Sequence, residues 1–278
     1  MTVPEPKGTK VPGATIPSGS AMDPDTMGIV DHYTKRRPDA PPGLFAAEAA
    51  GLAWLRVPGG APVADVIEVS ETSITLERVV TAPASSSAAA QFGTALARTH
   101  DAGAAAFGAA PDGFTGQSYI ADLPMSTEPT PAWGRFFAEQ RLMPYARLAA
   151  HELGSTGMRI IESLCTRLSD GIYDDDAPPA RLHGDLWSGN VLFTRSGAVM
   201  IDPSAHGGHR VSDLAMLSLF GAPYLNRIFE AYENASTHLP PDWLGLIGLH
   251  QVYPLLVHTV LFGGGYGRRV VAAAKPYL

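Results

Sequence analysis

The chain has 278 residues, 45% of them hydrophobic and 17% charged, enough to bury a substantial core in one two-lobed domain or two small ones, which argues against global disorder. A formal net charge of −7 and a pI near 5.7 speak against a nucleic-acid binder, which would carry a basic face, and bias a cleft only weakly toward cationic substrates. The single cysteine, Cys165, excludes an intramolecular disulfide and a cysteine metal cluster and fits a reducing cytoplasm.

Residues 1–28 carry many breakers (Pro4, Pro6, Pro12, Gly13, Pro17, Gly19, Pro24) and predict loop with short strands at most. They contain no apolar signal core, and no stretch of the chain reaches the roughly 18 uninterrupted apolar residues of a membrane span, so the expected compartment is the cytoplasm. "GIVDHYTKR" predicts a strand ending at Lys35, and "RPDAPPG" a loop. Phe45, Ala49, Leu52 and Leu55 recur at helical spacing over 44–57, a helix that contains Glu48. "VADVIEVSETSITLERVV" predicts two strands joined by a polar turn at Ser70–Ser73.

"TAPASSS" marks a lobe boundary, with an N-lobe over 1–81 and a C-lobe over 82–278. Helices are then predicted over 87–103, 131–150 and 155–172, the last with a Ser/Thr start and Gly171 near its end. "HGDLWSGN" follows, then a strand "AVMID", a helix "SDLAMLSLFG" and further helices, with no repeats or heptads. The expected fold is α+β and two-lobed, with a small sheet-containing N-lobe and a larger, mostly helical C-lobe.

The chemistry concentrates in "HGDLWSGN". Asp185 and Asn190 lie five residues apart, and Asp202 follows twelve residues later at the end of an apolar strand. One carboxylate to accept a proton, with an amide and a second carboxylate to grip a divalent ion, is the apparatus of phosphoryl transfer. Mg²⁺ prefers oxygen ligands and takes few protein groups alongside phosphate oxygens and water, which suits Asn190 with Asp202. The same chemistry needs a phosphate-binding cation and a partner for it; Lys35 and Glu48 stand at the separation of a kinase lysine–glutamate pair.

"HGDLWSGNVLF…VMIDPSAHGGHRVSDLAML" resembles the fructosamine kinase (ketosamine kinase) family, relatives of the aminoglycoside phosphotransferases within the protein-kinase-like fold. "YTKRRPDAPPGLFAAEAAGLAWL", "WGRFFAEQRLMPYARLA" and "LHQVYPLLVHTVLFGGGYG" are similar to further blocks of that family, so the resemblance runs from about residue 33 to 267. It implies a protein-kinase-like fold and transfer of the γ-phosphoryl of ATP, with Mg²⁺, to a sugar hydroxyl of a ketosamine. By resemblance Asp185 is the catalytic base, Asn190 and Asp202 hold Mg²⁺, and Lys35, held by Glu48, contacts the α/β-phosphates. "LERV" matches a hinge whose backbone near Glu77 and Val79 holds adenine, Trp187 a substrate-site aromatic, His183 a brace of the loop, and Asp213 a structural acid beneath it. One region departs: where the family carries a Gly-rich phosphate-covering loop, "IPSGSAMDP" has a single Gly.

Other residues admit two readings. His209 and Arg210, with His206, either bind substrate or cap the next helix, and the first two join Trp187 as substrate candidates. Asp174, Asp175 and Asp176 are a solvated loop or an acidic rim for an amine. His100 packs at a helix end, and "FGGGYG", lacking the lysine of a P-loop, is a turn. The expected partner is an amine-bearing small molecule, with neither nucleic acid nor membrane; oligomeric state is not legible. Two alternatives stand beside the ketosamine: an aminoglycoside or cationic cyclic peptide antibiotic as acceptor, and a pseudokinase, suggested by the missing Gly-rich loop and opposed by retention of Asp185, Asn190 and Asp202.

Overall fold

A computed structural model describes residues 31–278. The readings of residues 1–28, of "IPSGSAMDP" and of the start of the first strand lie outside the described residues. β1 (His32–Arg36), α1 (Leu44–Leu55), β2 (Val66–Val69) and β3 (Ser73–Glu77) come first. The three strands form an antiparallel sheet of order β1-β3-β2, in which Lys35 lies opposite Ile74. Period-two alternation buries Ile74 and Leu76 in the core that α1 shares, as a one-sided sheet requires. α1 stops two residues short of the expected Val57, because Arg56 turns to ψ 93° and Val57 precedes Pro58, where helical geometry is disfavoured.

α2 (Ser86–Asp101) begins where the Ser85 hydroxyl accepts the Ala88 amide at 3.1 Å, an N-cap. A hairpin of β4 (Ser118–Ile120) and β5 (Leu123–Met125) follows. The helix expected over 131–150 is three pieces: α3 (Trp133–Phe136), a π-helical turn (Phe137–Leu142) and α4 (Met143–Leu148). Pro144 explains the widened turn. It has no N–H for the Gln140 carbonyl, and the Met143 amide reaches back to Ala138 O. α5 (Ala150–Ser169) is broken at Gly154, where φ is 63°, so its regular part starts at Ser155 as expected.

β6 (Ala180–Leu182) pairs with β9 (His206–Gly208), and β7 (Val191–Thr194) with β8 (Gly197–Met200). α6 (Val211–Phe220), α7 (Leu225–Ala235), α8 (Trp243–Phe262) and α9 (Tyr266–Ala274) complete the C-lobe. "FGGGYG" is the turn between α8 and α9, with Gly263 and Gly264 at positive φ. α8 is long and apolar enough to cross a membrane by length and composition alone, yet Leu249, Val252, Leu255 and Leu256 are buried in the protein's own core.

Two apolar clusters organise residues 31–278. One joins Leu52 and Leu55 of α1, Ile74 of β3, Phe92 and Leu96 of α2, and Met200 of β8. The other joins Phe137, Leu142, Leu164, Leu168 and Leu256. Cys165 of α5 is buried at the edge of this second cluster, and burial, with Glu162 nearby, pushes its thiol up to about 12.

α2 and α7 pack backbone to backbone at Gly93, where an added Cβ would collide with the Ile228 carbonyl. Alanine in an exposed helix would stabilise by about 1 kcal/mol over glycine, but here the collision with backbone reverses the sign. Gly93→Ala is expected to lower stability by about 1–3 kcal/mol in urea titration, the range for an overpacked core.

Candidate active site

β1 presents Lys35 toward α1, and α1 turns Glu48 back at it. Lys35 Nζ donates to Glu48 Oε1 and Oε2 at 3.0 and 2.9 Å and to Asp202 Oδ1 at 2.6 Å. Gly51, one turn beyond Glu48, lets α1 approach this closely: a Cβ there would stand 3.0 Å from Ala205 Cβ and 3.1 Å from Pro203 Cγ. Burial lowers the Lys35 ammonium, but the carboxylates of Glu48 and Asp202 outweigh it and hold its pKa above the ordinary value. Burial pushes the Glu48 carboxyl up to about 7, with the Lys35 charge opposing.

The loop 183–190 is built from backbone outward. Gly184 sits at φ +82°, and a Cβ there would strike the Ser204 carbonyl, so only glycine lets the loop cross that segment. The Asp213 carboxylate accepts the His183 amide at 2.8 Å, the Gly184 amide at 3.0 Å and His100 Nε2–H at 3.1 Å. Burial depresses the His100 pKa, so it is a neutral donor rather than an ion-pair partner, and its Nδ1 accepts the Tyr232 hydroxyl at 2.7 Å. His183, also kept neutral by burial, accepts the Asp185 amide on Nδ1 at 3.2 Å and donates Nε2–H to Ile201 O at 2.8 Å.

Asn190 Nδ2 donates to the Asp185 carbonyl at 2.8 Å and to Asp185 Oδ2 at 3.2 Å, closing the loop on itself. Burial pushes the Asp185 carboxyl up to about 6; the Asn190 hydrogen bond opposes this, and the charges of Asp202 and Asp213 add to it. Asp202 occupies left-handed backbone at φ 54°, a conformation an L-residue adopts under local constraint, and it aims into the same cleft. The Trp187 ring lies over Gly189, where a Cβ would displace it, and meets Phe220 edge-on at 6.5 Å.

One cleft is thus lined by Lys35, Glu48, Asp185, Trp187, Asn190 and Asp202. Asn190 and Asp202 offer a hard oxygen donor set from two residues, and no group of three His, Cys, Asp or Glu side chains among the described residues is placed to hold a metal ion. A sparse set of this kind fits Mg²⁺, which retains water and phosphate oxygens, better than a softer or fully caged ion.

Four sequence candidates fall elsewhere. His209 is buried against Trp133 and bonded to Asp175 at 3.0 Å, and Arg210 is buried on Asp101 and Ser236. Neither lines the cleft, which corrects their reading as substrate contacts: each binds an internal carboxylate. Glu77 and Val79 lie instead on a groove with Asp65 and Val199, and the Glu77 amide is committed to Asp65 O at 2.8 Å, so that N–H is not open to an adenine. Of the acidic run, all three members are exposed, but Asp174 accepts the Gly134 amide at 2.7 Å and Asp175 holds His209.

Residues absent from the sequence reading also line the cleft. Arg37 lies two residues from Lys35, one past the end of β1, and bonds Asp122 of the β4–β5 turn at 2.6 and 3.1 Å. The Tyr119 hydroxyl donates to Pro42 O at 2.8 Å, so this hairpin bridges to the segment preceding α1. The strand period was the available signal for Arg37; nothing local marked its partner.

A small sheet carrying a lysine, a glutamate helix beside it and a loop of Asp, Asn and a second Asp define the protein-kinase-like class of fold. The sequence profile of the fructosamine kinase family matches residues 7–278. The chain is 34% identical over 235 residues to the probable ketoamine kinase of Thermus thermophilus, covering 84% of this chain and 82% of that one. A crystal structure of a Thermobifida fusca protein assigned as fructosamine-3-kinase is similar at 45% identity and a TM-score of 0.82, covering 88% of this chain and 85% of that one. The gentamicin complex of an aminoglycoside phosphotransferase shares the fold alone, at 13% identity, a TM-score of 0.54 and coverage of 88% and 84%. The chain belongs to the fructosamine kinase family.

Asp213 is expected to govern the acid limit of the fold. Burial raises its carboxyl, but His100 and the loop amides outweigh this and hold the pKa below the ordinary 3.8. A depressed folded-state value means that the ionised form stabilises the fold above pH 3.8, and that this contribution is lost as pH falls through the lower, folded value. Asp213→Asn should lower stability by about 1–3 kcal/mol at pH 7 and flatten the acid limb of a stability–pH curve from urea titrations.

Proposed function

We propose that the chain is an ATP-dependent kinase that phosphorylates a sugar hydroxyl of a ketoamine. The observation that carries this reading is the convergence of Lys35, Asp185, Asn190 and Asp202 on one cleft in a member of the fructosamine kinase family. The names of the relatives at 34% and 45% identity, a ketoamine kinase and a fructosamine-3-kinase, supply the acceptor class. No observation favours an antibiotic acceptor, since the gentamicin-binding relative is similar at the level of fold.

Phosphoryl transfer asks the protein chiefly for alignment and charge neutralisation. Lys35 contacts the α/β-phosphates of ATP, and Glu48, holding Nζ through both carboxylate oxygens, fixes its reach. The acceptor hydroxyl lies beside Asp185. As its oxygen bonds to the γ-phosphorus, the bond from that phosphorus to the β–γ bridging oxygen breaks, ADP departs, and Asp185 takes the hydroxyl proton. Its pKa near 6 keeps Asp185 ionised yet appreciably basic at neutral pH. Asn190 orients the base through Oδ2, and His183, bridging the Asp185 amide and Ile201 O, holds the loop against the Asp202 segment. Mg²⁺, which Asn190 and Asp202 would hold, supplies neutralisation of charge on the phosphate oxygens. Trp187 forms an exposed wall of the cleft for the acceptor.

Asp185→Asn is expected to reduce kcat by about 10²–10⁴-fold while the melting temperature holds or rises, since burial already disfavours the ionised form. Full activity in this variant would overturn the assignment of the base. A coupled ADP-release assay offering fructosyl-lysine, ribosyl-lysine, kanamycin and capreomycin tests the acceptor class. Turnover confined to the antibiotics would overturn the ketoamine reading.

A further inference from the structure

Behind Asp185 lies a second cavity of about 40 Å³ whose wall includes Phe136, Arg141, His206, His250 and Tyr253. Asp185 lines both this cavity and the cleft, so the two share a wall at that residue. The volume is roughly three times what one water molecule needs, so it admits the polar end of a larger ligand.

The polar inventory of this cavity is unbalanced. Arg141 is 1% exposed, and its Nη1 alone is engaged, on Ser126 O at 3.0 Å and Gln140 O at 3.2 Å. Nε and Nη2, the two parallel donors along one edge of the guanidinium, have no partner, and no carboxylate pairs with the charge among the described residues. The Tyr253 hydroxyl and His250 Nε2, on the same wall, also have none. Burial keeps His206, His250 and His258 neutral, so Arg141 is the only cation on this wall among the described residues; the Asp185 and Asp213 carboxylates, which also line it, are bonded to Asn190 and His100 instead.

Arg141 is held rigidly in this pose. Its Cζ stands 4.6 Å from the Phe136 ring centroid and 5.7 Å from that of Tyr253. One of the two carbonyls that anchor Nη1, Gln140 O, is the one to which Pro144 has no N–H to give, within the π-helical turn; such turns recur at functional sites. A buried guanidinium whose two-donor edge has no partner matches a group with two coplanar acceptor oxygens and a negative charge. Left unmatched, such a charge is strongly unfavourable.

We propose that Arg141 and Tyr253 form a carboxylate-binding subsite behind the acceptor site, so that the preferred acceptor is a ketoamine whose amino-acid half keeps a free carboxylate. The inference rests on the ketoamine kinase reading and narrows it. The acceptor spans the junction: its sugar hydroxyl meets Asp185, and its carboxylate accepts from Arg141 Nε and Nη2.

The test compares kcat/KM of the full-length enzyme for the glucose-derived ketoamines of alanine and of alaninamide, which differ in the carboxylate. The acid is expected to exceed the amide about ten- to hundredfold, the worth of a charge-assisted contact. Arg141→Met, similar in length and apolar, should bring that ratio near one. Equal turnover of acid and amide by the unmodified enzyme overturns the subsite and leaves the kinase reading intact; turnover of neither strikes the kinase reading itself. An acid-to-amide ratio that persists in a folded Arg141→Met overturns the role of Arg141. Should that variant not fold, the comparison in the unmodified enzyme still decides whether a carboxylate is recognised.

Discussion

The Asp213 carboxylate, sealed from solvent, is the point on which the loop 183–190 hangs. It ties α6, which carries it, to α2 through His100 and to the loop through the His183 and Gly184 amides. Every other feature of the loop follows. Gly184 can cross under Ser204 because its amide is already fixed, and Asp185 then projects toward the cleft with Asn190 folded back on it. The buried carboxylate is tolerable because three N–H donors meet it; with fewer it would be among the least favourable groups in the protein.

The elements nearest the site were legible where chemistry and local spacing coincide. "HGDLWSGN" announces a polar loop within eight residues, and Asp202 follows an apolar strand whose end is easy to place. The lysine and glutamate of the N-lobe were legible for the same reason: strand and helix are consecutive, and thirteen residues separate the pair. His209 and Arg210 read as substrate contacts because polar groups after a metal-site aspartate are common at active sites. Their true partners, Asp175 and Asp101, lie 34 and 109 residues away, and no periodicity encodes a distance of that kind. The cavity behind Asp185 was invisible for a related reason. Arg141 sits in a helical pattern where a charged residue is normally solvated, and only the packing of α8 against the π-helical turn buries it. Pro144 did stand in the sequence as a helix breaker, but it widened the turn rather than ending the helix.

The cleft has two polar contacts from the β4–β5 hairpin to the neighbourhood of β1 and α1, Arg37 with Asp122 and Tyr119 with Pro42. The first is largely exposed and contributes little to stability. Its importance is geometric: Ala121, beside Asp122 in the hairpin turn, takes a φ of 51°, so Asp122 meets Arg37 from a constrained backbone. Any widening of the cleft on that side must separate this pair.

Cys165 has a practical consequence for measuring such motion. The only thiol in the chain is buried and held near pKa 12 by its surroundings, so at neutral pH almost none of it is thiolate, the form that alkylates. A cysteine engineered on the rim of the cleft would therefore be the sole reactive position, and spectroscopic reporters could be attached there without first removing the native residue from the core.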